Sequence, residues 1–465
     1  MAHIKGTDRN QEMMFPPRLD DWIPKDHPAR IIDMFVESLE IEYVGPIENN
    51  QKTGRPSYSP RVMLKILLYG YATGERSSRA LEKKTYDDIG YRWLSNDLHP
   101  DYRSIARFRQ NNGYWMKQLL AETLAMYCEL GFEIKGLVFT DGTKMLANAN
   151  DNNVVSDLRI KRLEEQVNKI LEEAENADKE EDDKHGNSNN GYMKEGSLDK
   201  LKAKIEVYKA KQKEAGKKTV SLTDKQANFM WHSGSKGIHL SYNAQVTADR
   251  NGIIVAADVT EKKADDGELL KENIAQAETN IGKKVKIAVA DAGYYETKAL
   301  LELSEEKRLC LVPKPVRLIS DKSKYKYNKE NNTYICEKGV TLKWIELKKQ
   351  KKNLYNVYAA EAKECRACDL LGKCYRGNGL GYYGRKIMVS EHNEFMERNQ
   401  EQLKKHKYLY DKRKEVIEPI IGTIKVRQRF RGFTLRGLEK VRTEWNLATT
   451  SFNLLKIWKI SRAIS

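Results

Sequence analysis

Two aspartates occupy positions where a carboxylate could bind a divalent metal ion. Asp141 closes an apolar run that begins at Gly136, and Asp291 closes one that begins at Lys284. Both runs predict buried strands, and α/β folds place functional side chains at strand ends. Carboxylate oxygens suit Mg²⁺ or Mn²⁺, and two such ions can activate the attacking oxygen and stabilise the leaving one in phosphoryl displacement. A single Asp would favour a turn or a cap, whereas two with a Glu downstream favour a metal site.

The downstream carboxylate lies in the segment YDKRKEVIEPIIGTIKVRQRFRGF. Glu415 and Glu418 are three residues apart, so both could lie on one face of a helix. The surrounding residues are basic, as expected if phosphate binds beside the carboxylate: Arg413, Lys414, Lys425, Arg427 and Arg429. A solvated helix with surface ion pairs would show the same pattern, so that alternative stays open.

A separate group of cysteines could bind zinc. Its four members are Cys336, Cys365, Cys368 and Cys374. A closed tetrahedral Zn²⁺ site needs four thiolates, and the Cys-x2-Cys spacing within the group is typical of one. Because Cys336 stands alone instead of in a second pair, free thiols or a redox role remain alternatives. Cys128 and Cys310 lie on apolar segments and are expected in the core.

The charge of the chain favours a polyanionic partner. The 465 residues carry a formal net charge of +16, and residues 401–465 alone contain sixteen Lys and Arg against six Asp and Glu, interleaved with aromatic residues. Clustered positive charge of this kind favours a nucleic acid as the partner over solubility as its sole purpose.

Two histidines and two tryptophans give weaker signals. His232 and His239 flank the start of a predicted hairpin, and we expect structural roles for both. Trp231 and Trp445 could stack on a flipped base, although core packing is the expected role of each.

The elements that must position these residues begin with a helical N-terminal unit, residues 1–130. Apolar residues recur at helical spacing from Arg61 to Thr73, with Pro60 before them and Gly74 after. Further on, SIARFRQNN places Arg107 and Arg109 on a basic face. Helix, glycine turn and basic helix fit a helix-turn-helix DNA reader, although a small helical bundle would look the same.

Residues 131–465 predict an α/β unit, because short apolar strands alternate with a hairpin and helices and so form a mixed sheet. Two insertions interrupt this unit. Residues 151–230 show helical spacing on both sides of an acidic, Asn/Gly-rich stretch, which predicts a helical hairpin that acts as a spacer. Residues 320–388 contain the clustered cysteines and predict a small zinc-ribbon-like insertion.

The sequence also bears on location. No stretch reaches the ~18 to 20 apolar residues that span a bilayer. The first fifteen residues lack the apolar core of a secretory signal. We therefore expect a cytoplasmic protein with no membrane partner.

Long stretches of the chain resemble the DDE transposases of bacterial insertion sequences, in the group with a Tyr-x2-Arg-x3-Glu-x6-Lys signature. FTDGTKMLANAN and AVADAGYYET are similar to that group's first-Asp and second-Asp strands, and GTIKVRQRFRGFTLRGLEKVRTEWNLATTSFNLLKI is similar to its C-terminal segment. GRPSYSPRVMLKILLYGYATGERSSRALEKK and HPDYRSIARFR resemble its N-terminal helical domain. The resemblance covers most of residues 15–460, and only the helical hairpin is loosely matched.

The resemblance implies an RNase H-like catalytic fold in which Asp141, Asp291 and Glu418 bind two Mg²⁺ or Mn²⁺ ions. It also implies that Lys425 contacts DNA phosphate near the cut, and that Tyr410 and Arg413 help to hold the transposon end. Other basic residues complete the expected DNA-binding set: Arg427, Arg429, Arg431, Arg107 and Arg109.

One spacing departs from the signature. Four residues separate Arg413 from Glu418, where the signature has three. Either the helix contains a one-residue bulge, or Lys414 replaces the Arg and the Tyr has no counterpart.

The resemblance thus implies a transposase that binds the terminal inverted repeats in double-stranded DNA, acts as a synaptic homodimer, and catalyses metal-dependent DNA cleavage and strand transfer. One alternative is an RNase H-like nuclease that cuts DNA without rejoining it. Another is an inactive or domesticated transposase, or a regulator, that only binds DNA.

Overall fold

The computed structural model describes residues 18–41, 57–185, 195–232, 234, 236–261, 267–315, 325–350, 353–374 and 381–463. Its architecture is mixed α/β, as predicted. Helices come first along the chain: α1 (Pro28–Ser38), α2 (Pro60–Thr73), α3 (Ser78–Asp87), α4 (Ile89–Leu94), α5 (Tyr102–Asn111), α6 (Gly113–Met116) and α7 (Leu119–Glu129).

The start and the end of α2 follow from its sequence. Pro60 is the first residue of the helix, where its missing N–H removes no helical hydrogen bond. Gly74 ends the helix at φ +83°, and a Cβ there would lie 3.2 Å from the carbonyl oxygen of Arg427. Glycine therefore allows α2 to end directly against the C-terminal part of the chain.

A central sheet follows the N-terminal helices. Its strands are β1 (Leu137–Leu146), then, after the short pair β2 (Val154–Ser156) and β3 (Thr219–Ser221), β4 (Asn228–His232), β5 (Gly237–Asp249), β6 (Ile254–Thr260), β7 (Ile287–Ala290) and β8 (Leu309–Leu311). The spatial order is β4–β5–β1–β7–β8, and β6 also pairs with β5. β1 is antiparallel to β5 and parallel to β7, and β7 is parallel to β8. The sheet is therefore mixed, as the sequence predicts.

The β5–β6 hairpin turns where the sequence predicts it. The Asp249 carboxylate accepts hydrogen bonds from the N–H groups of Asn251 and Ile253, each at 2.9 Å. Gly252 supplies a φ of +78°. An Asp side chain that holds its own turn is a common reason for Asp at such positions.

Helices cover the sheet and join it to the N-terminal unit: α10 (Gly267–Ile281), α11 (Thr297–Glu305), α14 (Asn393–Lys405), α15 (Lys407–Val426) and α16 (Leu438–Arg462). α16 is buried over most of its circumference. Its Ser451 hydroxyl donates to the carbonyl of Leu68 in α2, and its Trp445 indole donates to the carbonyl of Gln245 in β5. One hydrophobic core therefore runs from the N-terminal helices through α16 to the sheet, and the division at residue 130 stays an interpretation.

The predicted helical hairpin is present. α8 (Asp157–His185) and α9 (Glu195–Ala215) pack on each other with a small core of their own, made of Val155, Ile160, Val167, Ile205 and Tyr208. β2 and β3 pair at its base. Residues 186–194 of its Asn/Gly-rich stretch lie outside the described residues.

The cysteine-containing segment is larger than the small ribbon that the sequence suggests. β9 (Tyr325–Asn328), β10 (Thr333–Cys336), β11 (Thr341–Gln350), β12 (Asn353–Glu361) and β13 (Tyr383–Ser390) form an antiparallel sheet in the order β13–β12–β11–β10–β9. α12 (Ala362–Arg366) and α13 (Leu371–Cys374) lie between its last two strands along the chain. The segment has a separate core that includes Tyr334, Leu342 and Tyr358.

None of the helices in the described ranges combines the length and the apolar character needed to cross a membrane.

Candidate active site

The pairing of β1 with β7 fixes where the two predicted metal-binding aspartates lie. Thr140 pairs with Ala290, the last residue of β7. Asp141 and Asp291 therefore occupy equivalent positions immediately beyond that pair on adjacent parallel strands. The sequence predicted that Asp141 and Asp291 each follow an apolar strand. The parallel pairing of β1 with β7 places these two residues side by side.

The two aspartates differ in local structure, which corrects one expectation. Asp291 does leave the end of its strand, and its carboxylate caps a short 3-10 helix by accepting the Gly293 N–H at 2.8 Å. Asp141 does not end a strand, because β1 continues to Leu146 and stays paired with β5 over that length. Beyond Asp141, β7 no longer covers the other edge of β1, so the carboxylate lies where that edge becomes open.

Arg413 of α15 lies against Asp141. Its Nη1 forms an ion pair with Asp141 Oδ2 at 2.9 Å, and the residue is 9% exposed. The buried Nε has no hydrogen-bond partner among the described atoms. The guanidinium carbon lies 5.9 Å from the centre of the Tyr410 ring. The two residues of the expected Tyr-x2-Arg pair thus lie together, and Arg413 contacts the first aspartate.

Burial raises the pKa of Asp141 to about 6. The cation of Arg413 opposes this shift, the negative charge of Asp291 adds to it, and the Gly142 N–H opposes it. An Asp carboxylate that is desolvated beside a second carboxylate is stabilised by positive charge. Arg413 supplies part of that charge in this structure.

Lys425 lies close to the same strand. Its Nζ donates to the hydroxyl of Thr143, which is on the same face of β1 as Asp141 because it is two residues further along. Burial lowers the pKa of Lys425, while Asp141 raises it. α15 therefore crosses this face of β1 and places two cations beside it.

A cleft of about 610 Å³ opens beside Thr143. Its basic lining residues are Lys144, Lys425 and Arg431, and its aromatic lining residues are Trp231, His232 and His239. Trp231 is 56% exposed, so the expectation that it packs in the core is wrong, whereas Trp445 is fully buried as expected.

Both histidines of this cleft have structural partners, as expected. His232 Nε2 is 2.7 Å from the Ser241 hydroxyl, and His239 Nδ1 is 2.8 Å from Asp151 Oδ2. Burial lowers the pKa of His232, and the nearby His239, Lys425 and Lys144 lower it further. His232 is thus biased toward the neutral form at the wall of a basic cleft.

Glu418 is exposed and lies on a different side of α15 from Arg413. The helix is continuous from Lys407 to Val426, so no one-residue bulge restores the signature spacing. At 3.6 residues per turn, a separation of five residues turns the two side chains about 140° apart. Lys414, Glu418 and Lys425 share a side of the helix instead.

The predicted metal-binding carboxylates therefore do not converge in this conformation. Among the described residues, no group of three or more His, Cys, Asp or Glu side chains is arranged to hold a metal ion. The pairing of β1 with β7 brings Asp141 and Asp291 together, and Glu418 stays a predicted third ligand.

The remaining predicted DNA contacts divide between exposed and buried positions. Arg107, Arg427, Arg429 and Arg431 are exposed. Arg109 is 6% exposed, and its guanidinium donates to the Arg76 carbonyl at 3.0 Å and lies 3.4 Å from the Tyr71 hydroxyl. Its Nη1 is thus engaged inside the N-terminal helices, and its burial argues against the predicted DNA contact.

Arg427 and Arg431 face different clefts. Arg427 lines a cleft with Arg250, Lys456 and Lys459, on the side of α15 that Glu415 and Pro419 occupy. Arg431 lines the cleft beside Thr143. Local sequence could not separate the two, because the chain bends after α15 and Arg429 adopts a φ of +50°.

Both ends of the chain match transposase families. Residues 17–111 match a transposase domain (DUF772), and residues 335–458 match a transposase DDE domain. Together the two matches support a DDE transposase of an insertion sequence. No curated protein is significantly similar to this transposase. The DDE match contains Arg413, Glu418 and Lys425, and it begins within the sheet that contains the clustered cysteines.

Proposed function

We propose that this transposase binds the terminal inverted repeats of its insertion sequence and catalyses metal-dependent cleavage and strand transfer of DNA. The observation that carries the proposal is the adjacency of Asp141 and Asp291 on parallel strands of a chain with two transposase segments. The order β6–β5–β1–β7–β8, with β1, β7 and β8 parallel, supports an RNase H-like assignment for the sheet.

The donor set fits a hard divalent cation, since carboxylate oxygens are what Mg²⁺ and Mn²⁺ prefer. Asp141, Asp291 and Glu418 would hold the ions, which supply activation of the attacking oxygen and stabilisation of the leaving one. The Asp141 carboxylate already pairs with the Arg413 cation at 2.9 Å in this structure, so its position accepts positive charge. Glu418 would complete the set from α15.

The protein's own part is to position the DNA and to neutralise its charge. Lys425, Lys144 and Arg431 present cations in the cleft next to Asp141, where a phosphodiester would bind. The exposed Trp231 offers a ring on which an unpaired base could stack. In the DNA-free conformation Arg413 holds the Asp141 carboxylate that would otherwise be an unpaired buried charge.

Strand transfer brings two transposon ends together, so we propose that a homodimer binds double-stranded DNA in a synaptic complex in the cytoplasm. Arg107 and the exposed arginines after α15 would contribute phosphate contacts.

The test incubates the purified chain with Mg²⁺, linear DNA that carries the terminal repeats and flanking sequence, and a target plasmid. We expect nicked ends and joined molecules, and Asp291→Asn should lower both by at least about 100-fold, since metal stabilisation contributes several kcal/mol. The matched control is Asp199→Asn, an exposed residue of α9. Cleaved ends without joined products would overturn strand transfer, and full activity of Asp291→Asn would overturn the site.

Glu418 has a matched control in the same helix. Glu418→Gln should lower cleavage about as strongly as Asp291→Asn, whereas Glu415→Gln should retain most activity, because Glu415 lines the separate cleft that contains Arg250 and Arg427. The reverse ranking would show that Glu415 is the third carboxylate.

A further inference from the structure

The four clustered cysteines lie around one small cavity beside the β9–β13 sheet. Their spacing in the sequence could not establish this arrangement. Cys336, Cys365, Cys368 and Cys374 all line a space of about 40 Å³. A cavity needs only about 10–15 Å³ to hold a single water molecule, so this space is large enough for one ion. Within the described part of the chain, all four cysteines are free thiols.

Two tight turns present three of these cysteines. Cys336 ends β10, and the Gly339 N–H donates to its carbonyl at 2.9 Å, with Gly339 at φ +80°. The Cys368 N–H donates to the Cys365 carbonyl at 3.2 Å. In each turn, a backbone hydrogen bond closes over two intervening residues. These bonds fix the backbone at Cys336, Cys365 and Cys368.

Backbone groups already approach one of the sulfurs. The Arg385 N–H donates to Cys365 Sγ at 3.4 Å. A Cβ on Gly384 would lie 2.6 Å from the same sulfur, so glycine is needed for this approach. An N–H that points at sulfur stabilises the thiolate form, which is the form that binds metal.

Basic side chains surround the open side of the cavity. Lys338, Lys373 and Arg385 line the wider cleft that continues from it. Arg385 donates to the Cys374 carbonyl at 3.0 Å, and Lys338 pairs with Asp369 beside Cys368. A Zn²⁺ ion with four thiolates carries a net charge of about −2, and nearby cations offset it.

We propose that these four cysteines form a structural Zn²⁺ site that fixes α12 and α13 against the β9–β13 sheet. The sulfurs are not yet gathered at ligand distance from one point. Cys365 Sγ accepts the Arg385 N–H, and Cys368 Sγ lies 3.8 Å from Asp369. Zn²⁺ binding turns the four Sγ atoms into the shared cavity and releases the thiol protons to solvent.

The test measures metal content and metal affinity, not transposition. The full chain, purified without chelator, should contain about one zinc ion per chain, as measured by inductively coupled plasma mass spectrometry. Cys368→Ser should bind Zn²⁺ at least about tenfold more weakly, because it removes one thiolate ligand. Cys128→Ser is the matched control, since Cys128 belongs to no cluster and is exposed on α7, which shows that its expected place in the core is wrong.

A second variant keeps the test decisive if Cys368→Ser does not fold. Cys374→His supplies an imidazole, which Zn²⁺ also accepts, so it should retain the metal. With Co²⁺ as the probe, its thiolate-to-cobalt absorption should be weaker than that of the unchanged chain. Absence of stoichiometric Zn²⁺ and Co²⁺ binding would overturn the proposal. So would a disulfide between two of the four cysteines, or equal loss of metal in Cys128→Ser.

Discussion

At the scale of single residues, Asp141 combines burial with two unlike neighbours. Asp291 lies beside it on the adjacent strand, and Arg413 reaches it from α15. The carboxylate is thus paired with a cation in a chain without metal, and the same position would favour a metal cation. Its protonation should therefore be measurable in the metal-free protein.

Asp141 is expected to make the metal-free chain less stable as pH rises. Burial raises the pKa of its carboxyl from the ordinary 3.8 to about 6, so the folded state binds this proton more tightly than the unfolded state. The resulting stabilisation is fully present below about pH 4 and is lost as pH rises through about 6. As pH rises from about 4 to about 7, the free energy of unfolding of the unchanged chain should fall by up to about 3 kcal/mol more than that of Asp141→Asn.

Urea unfolding of both proteins in chelator, between about pH 4 and pH 7, measures this difference. Equal pH dependence of the two proteins would contradict the prediction.

Lys425 provides a prediction about DNA affinity. Its ammonium lies in the cleft beside Thr143, so Lys425→Ala should weaken binding and reduce the slope of log K against log salt by about 1. Lys283→Ala is the control, because this exposed lysine precedes β7 at the end opposite Asp291. Fluorescence anisotropy with a terminal-repeat duplex at several salt concentrations gives both slopes. A slope unchanged by Lys425→Ala would remove this residue from the phosphate contacts.

The residue-scale predictions from sequence succeed where the signal is local. Asp141 and Asp291 follow apolar runs, which mark buried strands without further information. Arg109 shows the opposite case: its basic helical face was visible, but its burial depends on Tyr71, which is 38 residues away. The Arg413–Asp141 ion pair joins residues 272 positions apart, and no local pattern encodes it.

At the scale of elements, α16 depends on a buried amide that completes the edge of β6. Asn453 is fully buried, and its side chain both accepts the Ile254 N–H and donates to the Ile254 carbonyl at 2.9 Å. Asn453→Ala leaves these two buried backbone groups without their partner. We expect a loss of about 2–6 kcal/mol in the free energy of unfolding, at about 1–3 kcal/mol per unsatisfied group.

Lys440→Ala, at an exposed position of the same helix, should change stability by less than about 0.5 kcal/mol. Denaturant unfolding of the two variants decides the matter, and similar values for both would show that the Asn453 bonds contribute little.

α15 shows where element prediction ends. Its sequence predicts a helix, and the helix is present despite Pro419 in its interior. The signature spacing predicts that Arg413 and Glu418 share a face, but a regular helix with one extra residue separates them. Which face points toward β1 depends on the burial of Val416, Ile417, Ile420 and Ile424, and this packing was not visible from charge spacing alone.

At the scale of the whole molecule, one buried ion pair joins the N-terminal helices to the C-terminal part of the chain. Arg76 Nη1 lies 3.1 Å from the fully buried Glu444, and it also donates to the Gly432 carbonyl at 2.7 Å. Arg76→Ala leaves the Glu444 charge without its cation and should cost about 3–5 kcal/mol. Lys117→Ala removes an exposed pair between α16 and the N-terminal unit, and should cost about 1 kcal/mol or less.

Because the same core includes both parts, thermal unfolding of these parts should be a single transition in the unchanged chain. Calorimetry of the three proteins tests this expectation. A separate early transition of the N-terminal helices would show that they form an independent domain.

The overall class was predictable, whereas the joining of its parts was not. Alternation of strands and helices identifies an α/β fold, and the helical hairpin follows from two runs of helical spacing. The five-stranded sheet around the cysteines was missed because its strands are polar on their exposed faces, as at Lys326, Lys343 and Lys348.

The burial of α16 also sets the order in which the molecule can be completed during translation. The surfaces that this helix covers, on α2 and on β5 and β6, are synthesised hundreds of residues earlier. Those surfaces stay uncovered until residues 438–462 leave the ribosome. Arg413 and Lys425 of α15 are synthesised only shortly before α16, so they too are absent from β1 for most of translation. A nascent chain could therefore contain Asp141 and Asp291 before it contains the cations of α15. The proposed DNA cleavage would begin only after α16 has been synthesised and has packed.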